Sequence, residues 1–222
     1  MKCWHSFPLL VALAAGGFFV LENIINTKTY LSDPATIEEI AKKSLSLEGG
    51  EFASPGERRQ AIFANITAEL QLRYGDHISQ NPEWVFINAG GFIGTFCVLH
   101  ASLTEYILIF GTPLVSSGHS GRYWADIYDT LVQGKYKQWP EGTTEYVVHG
   151  PGDTVVHKKW EGAMVYWDEH TWMLEYARGI IPSTLGFALA DSLFSTQDFY
   201  TVFKTFKVYA QLVVPELLRG QF

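Results

Sequence analysis

Four acidic side chains stand within, or at the edge of, the most apolar stretches of this chain. Glu105 lies in the run from Cys97 to Phe110, Asp126 and Asp129 in the run from Tyr123 to Leu131, and Glu175 between Trp172 and Ala177. A carboxylate stripped of water must pair, accept hydrogen bonds or take up a proton, and two that share one site can hold a single proton between them. Such a pair suits proton transfer, or the binding of a cation in an apolar pocket.

The elements that must position these acids read as strands. From Glu83 to Tyr176 the chain is made of short runs rich in Val, Ile, Thr, Tyr, Phe and Trp, broken by glycines at Gly90, Gly91, Gly111, Gly118, Gly134, Gly142, Gly150, Gly152 and Gly162. That spacing predicts an all-β barrel or sandwich. Strand alternation puts Ala125, Ile127, Asp129 and Leu131 on one face, and groups Met173, Glu175 and Ala177 in the same way. Asp129 and Glu175 then look into the interior of a small barrel. Asp126 falls on the opposite face, where a structural ion pair with nearby Arg122 is the better reading. Glu105 is open between a ligand role and a buried acid held by backbone donors.

Helices flank the β region. Asp33 and Pro34 form an N-cap followed by proline at the first helical position, with Ile37, Ile40, Ala41 and Leu45 on one face. Ser54 to Glu57 is a capping-box pattern, and Ile62, Phe63, Ile66 and Leu70 continue as an apolar stripe up to Gly75. Beyond the strands, Ser195 to Asp198 resembles another cap. Phe199, Val202, Phe203, Phe206, Tyr209 and Val213 then recur at helical spacing, with Lys204 and Lys207 on the flank. With the apolar segment 180–194 this predicts a helix pair lying on a membrane surface, the alternative being two helices that cover the barrel. From Cys3 to Leu21 there is no formally charged residue, about the length a bilayer core needs. This is an anchor or a signal peptide, and the large residues Phe18 to Leu21 beyond the small ones favour a retained anchor. The expected layout is an anchor over residues 1–30, a helical segment over 31–78, the β domain over 79–177 and membrane-associated helices over 178–222.

Composition excludes several functions. The 222 residues carry a net charge of −7, and no basic cluster exists to neutralise phosphates, so nucleic acid is not an expected partner. Charged residues are only 18% against 15% aromatic, which leaves apolar surface for lipid or a large apolar ligand. Two cysteines, Cys3 and Cys97, are too few for a disulfide framework. Among the seven histidines, His100, His119, His149, His157 and His170 include no spacing that sets two metal ligands on one strand or helix, so no metal is expected. Gly118 to Gly121 is not a nucleophile elbow, and Asn88 to Gly94 is not followed by a helical pattern, so its glycines read as turn and packing positions. The glycosylation sequon at Asn65 falls in an expected helix.

Several segments together carry a resemblance. Asn88-Ala-Gly-Gly, Leu99 to Tyr106, Phe110-Gly-Thr112, Gly118 to Asp126, Glu141-Gly-Thr-Thr144, Pro151 to His157, Thr171 to Tyr176, Ile181 to Leu185 and Phe194 to Asp198 resemble the family of fungal sterol C-8 isomerases and the animal type-one sigma receptor. The resemblance covers about residues 80 to 210. It implies an endoplasmic reticulum membrane protein with one N-terminal anchor, a cupin-like β barrel around an apolar ligand site, a C-terminal helix pair on the membrane, and a homotrimer. The segments Tyr30 to Pro34 and Leu72 to Asp76 are similar to the isomerase branch. That branch implies a Δ8-to-Δ7 double-bond shift in ergosterol synthesis without metal or redox cofactor, the alternative being a non-catalytic receptor for lipophilic amines and sterols.

The implied chemistry needs an acid to protonate carbon 9, a base to take a proton from carbon 7, and negative charge beside the intervening cation. The resemblance makes Glu175 the acid that grips a ligand amine and Asp129 its hydrogen-bonded partner. Family members differ over whether position 126 or 129 carries the second acid, and this chain has both, so Asp126 stands with them as a candidate. Around the pocket are expected Tyr106, His157, Glu105 and the aromatic Phe110, Tyr123 and Trp167, with His100 as support. Lipophilic amines are expected to bind because an ammonium imitates the sterol cation.

Overall fold

The computed structural model describes residues 6–46 and 52–222. The chain divides into two compact units, with the boundary between Leu31 and Ser32. The first unit holds helix α1 (Ser6–Thr27). The expected anchor starts at Cys3, outside the described residues, and among the described residues no helix is long and apolar enough to cross a membrane.

The second unit is mainly β, with helices on both sides. Among the described residues its strands are β1 (Trp84–Ala89), β2 (Phe92–Ala101), β3 (Glu105–Thr112), β4 (Ser116–His119), β5 (Ala125–Gln133), β6 (Tyr136–Pro140), β7 (Val147–His149), β8 (Thr154–His157), β9 (Ala163–Trp167) and β10 (Thr171–Gly179). They form two antiparallel sheets, ordered β1-β2-β3-β10-β5-β8 and β4-β9-β6-β7, rather than one continuous ring. The join is tight at Gly118, where a Cβ would stand 2.3 Å from the Gly90 carbonyl oxygen, so only glycine lets β4 approach the β1–β2 turn so closely. His119 N–H donates to that same carbonyl at 2.9 Å.

The central strands are apolar on both faces, because each face has its own cover. Inward, Phe96, Leu108, Phe110, Ile127 and Met173 pack with Tyr136, Val165 and Trp167 of the smaller sheet. Outward, Ile107, Ile109, Leu174 and Tyr176 pack against α2 (Pro34–Leu45) and α3 (Pro55–Tyr74) through Ile37, Ile40, Ile62, Phe63 and Ile66. Both helix starts follow their sequence signals. The Asp33 side chain accepts from Thr36 N–H at 3.0 Å and Ser54 Oγ from Glu57 N–H at 3.2 Å, while Glu57 reaches back to Ala53 N–H at 2.9 Å.

Helices α4 (Leu185–Phe194) and α5 (Phe199–Leu218) cover the inner face. Thr201, Thr205 and Val208 of α5 are buried, and Tyr209, Leu212 and Val213 pack on the inner core. Phe199, Tyr200, Phe203 and Phe206 remain exposed, so the covering reading holds for one face of α5 and the aromatic stripe lies on the other.

Candidate ligand-binding site

The β5 and β10 register sets Asp129 directly opposite Glu175. Strand alternation aims both inward, into a cavity of about 110 Å³ between the sheets and the two C-terminal helices. Its walls include Phe92, Phe96, Phe110, Trp167 and Met173, and among the described residues lining it there is no lysine or arginine. The surface that Glu175 retains faces this cavity.

Burial, and then the neighbouring Asp129 charge, raise Glu175 well above the usual carboxylate range, so it holds a proton where an exposed glutamate has lost it. Tyr106 Oη–H donates to Glu175 Oε1 at 2.5 Å. Burial raises the Tyr106, Tyr123 and Tyr136 hydroxyls, which therefore stay neutral donors. Asp129 is 6% exposed; its Oδ2 lies 3.4 Å from His157 Nε2, and its Oδ1 is buried without a hydrogen-bond donor among the described residues. The Glu175 and Asp129 side chains are close enough to share a hydrogen bond when one of them is protonated. One proton on two carboxyl groups leaves one negative charge in an apolar cavity, an arrangement that attracts a cation and can also give and take a proton.

The comparisons with known proteins agree on one family. The family model described as "ERG2 and Sigma1 receptor like protein" matches residues 8–221. The chain belongs to that family. The sigma non-opioid intracellular receptor 1 of Taricha granulosa is 47% identical over 199 residues, covering 89% of this chain and 85% of the receptor. The C-8 sterol isomerase erg2 of Aspergillus fumigatus is 36% identical over 195 residues, covering 87% of this chain and 78% of the enzyme. An RmlC-like cupin from Shewanella frigidimarina aligns at a TM-score of 0.41 and 12% identity, over 47% of this chain and 92% of the cupin. The identity is higher on the receptor side, against the branch read from Tyr30 to Pro34 and Leu72 to Asp76.

Within this ERG2 and sigma-receptor chain, the cavity gathers Glu175, Asp129, Tyr106, Phe110, Tyr123, His157 and Trp167. Three expected residues stand elsewhere. Glu105 precedes inward-facing Tyr106 on β3, so it points to the helix-covered face, where it accepts from Tyr176 Oη–H at 3.1 Å and Ser32 N–H at 3.4 Å. His100 is buried outside the cavity lining, with Nδ1 2.9 Å from the His77 carbonyl oxygen; desolvation lowers it, so it stays neutral. Asp126 lies on the face opposite Asp129 and accepts from Lys159 N–H at 2.9 Å, with Lys158 Nζ at 3.5 Å. Its expected partner Arg122 pairs with Glu141 and the Trp160 carbonyl instead.

The cavity also contains residues that the sequence reading passed over: Tyr136 and Phe92 from the sheets, and Phe187, Thr201, Thr205 and Tyr209 from the covering helices. Tyr136 and Gln138 alternate with Lys137 in a strand preceded by Lys135. Alternation alone could have placed both inward.

Proposed function

We propose that this chain is a receptor-type binding protein for lipophilic cations, amphiphilic amines with a large apolar body, and that the Asp129 and Glu175 pair is their counter-ion. The observation that carries this reading is the pair itself: two directly opposed carboxyl groups in an apolar cavity without a lysine or arginine in its lining. An entering ammonium draws negative charge onto Glu175, and the proton passes to Asp129. The higher identity to the sigma receptor supports the same reading. The family resemblance also implies an anchored endoplasmic reticulum membrane protein and a homotrimer, and a membrane setting would suit ligands that partition into lipid.

The experiment is equilibrium binding of a lipophilic amine to the full chain in detergent, with Glu175→Gln beside it. The glutamine keeps shape and hydrogen bonding but cannot carry charge, so affinity is expected to fall about 30- to 100-fold, the weight of a charged hydrogen bond of roughly 2–3 kcal/mol. Unchanged affinity would sink the assignment.

A second reading, sterol Δ8-to-Δ7 isomerisation, is favoured by one observation. Glu175 holds its proton beside an unfilled acceptor on Asp129, which is the acid-and-base arrangement that a double-bond shift needs. The 36% identity to the fungal enzyme supports it. Expression in a fungal strain lacking the isomerase, followed by sterol mass spectrometry, separates the two readings: Δ7 sterols mark the enzyme, and amine binding without them marks the receptor.

A further inference from the structure

His157 joins the two sheets at the acid pair. It lies on β8, 7% exposed, and three polar groups surround its ring. Asp129 Oδ2 stands 3.4 Å from Nε2, Tyr136 Oη 3.2 Å from Nε2, and Gln138 Nε2 3.4 Å from Nδ1. These spacings are longer than the optimum for such contacts.

A neutral imidazole has one N–H and one lone pair, and its neighbours decide which nitrogen carries the proton. An ionised Asp129 can only accept. The Gln138 amide can offer N–H or, turned over, its carbonyl oxygen. With N–H on Nδ1, the ring proton sits on Nε2, aimed at Asp129 and Tyr136, and every contact joins a donor to an acceptor. With the carbonyl on Nδ1, the Nε2 lone pair would face the Asp129 carboxylate, and Tyr136 would be the only donor left at that corner. Burying acceptor against acceptor is the costlier arrangement.

We propose that Gln138 is a positioning residue: its amide holds His157 as the Nε2–H tautomer that faces Asp129, so that the proton shared by the acid pair rests on Glu175. This rests on the ligand-site reading above and deepens it, because it assigns the resting charge to one carboxylate. On Asp129, His157 then donates to Oδ2, and the buried Oδ1 is left to receive the Glu175 carboxyl proton from directly across the register. Gln138 is half-buried on the smaller sheet, and its side-chain hydrogen bond goes to the imidazole, through which it acts on the acid pair.

The test is nitrogen NMR of the full chain in detergent with ¹⁵N-labelled histidine, the His157 signals being assigned by their loss in His157→Gln. In the ligand-free protein the proton is expected on Nε2. Gln138→Glu, which offers only acceptors, should place a proton on Nδ1, and Gln138→Leu should give a mixture of tautomers; amine affinity should fall several-fold in both. A proton on Nδ1 in the unsubstituted chain, or an unchanged tautomer in both variants, overturns the proposal. The tautomer is read without ligand, so failure of amine binding with the expected tautomer would count against the functional reading and leave this inference standing.

Discussion

Glu175 is costly to the fold because it is useful to the site. Its raised pKa means that the folded chain holds a proton which the unfolded chain has released above the usual glutamate range. Stability from this residue is therefore full at acid pH and lost as pH rises towards the folded value, at about 1.4 kcal/mol per unit of elevation. Glutamine mimics the neutral carboxyl group, accepting from Tyr106 and donating to Asp129. Glu175→Gln is thus expected to melt higher than the parent at pH 8, with the gap closing near pH 5, in thermal unfolding of the full chain in detergent. A gap that grows towards acid pH would contradict the raised value. Tyr106 works in the other direction, since its hydroxyl favours the ionised carboxylate. Tyr106→Phe should push the Glu175 proton on more firmly and weaken amine binding about 5- to 10-fold, near 1 kcal/mol, a smaller loss than with Glu175→Gln in the same titration.

The strands decide which acids meet. On β5 and β10 the sequence reveals the inward phase, because Ala125, Ile127 and Leu131 flank Asp129, while Met173 and Ala177 flank Glu175, and all of them join the inner core. On β3 every residue is buried, so alternation has no polar phase to read. That is why the face of Glu105 was not legible: its neighbours Ile107 and Ile109 are as apolar as Leu108 and Phe110. Helix α5 hid its role differently, since the exposed aromatic side drew the reading away from Thr201 and Thr205 on the cavity side. The second layer is legible and testable at its cap. Asp33 starts α2, whose Ile37 and Ile40 pack in the same cluster as Leu174 and Tyr176 on either side of Glu175. Asp33→Ala should cost about 1 kcal/mol at neutral pH. The Thr36 hydrogen bonds lower the Asp33 carboxyl, so that stability is present above its ordinary range and is lost as pH falls through the depressed value; the difference between parent and variant should shrink in chemical denaturation as pH falls below the ordinary aspartate range.

At the scale of the molecule, a narrow cavity meets an exposed apolar surface. About 110 Å³ is well under the roughly 300–1,000 Å³ of pockets for drug-sized ligands, so a body as large as a sterol needs the lining to move apart. The end of α5 is the better fastened part, with buried Glu216 pairing with His77 Nδ1 at 2.8 Å and Arg219 Nη1 at 2.5 Å. The outer side of α5 is unlike a water-facing surface: Phe199, Tyr200, Phe203 and Leu218 are each more than 60% exposed, beside Lys207 and Lys204. A large apolar side flanked by lysines fits a helix lying at a lipid interface. Removal of residues 1–29 tests this, because the unit from Ser32 onward keeps both core clusters and the Ser32 amide that donates to Glu105. The shortened chain should melt cooperatively and bind amine as the full chain does, yet still need detergent to remain dispersed. Substituting Phe199, Phe203 and Phe206 by serine in that background should then lower the detergent requirement without changing the melting temperature by more than a few degrees, since these side chains are exposed or nearly so. If the shortened chain stays monodisperse in plain buffer, as judged by size-exclusion chromatography with light scattering, α5 does not present its aromatic side to lipid and the membrane reading of that helix fails.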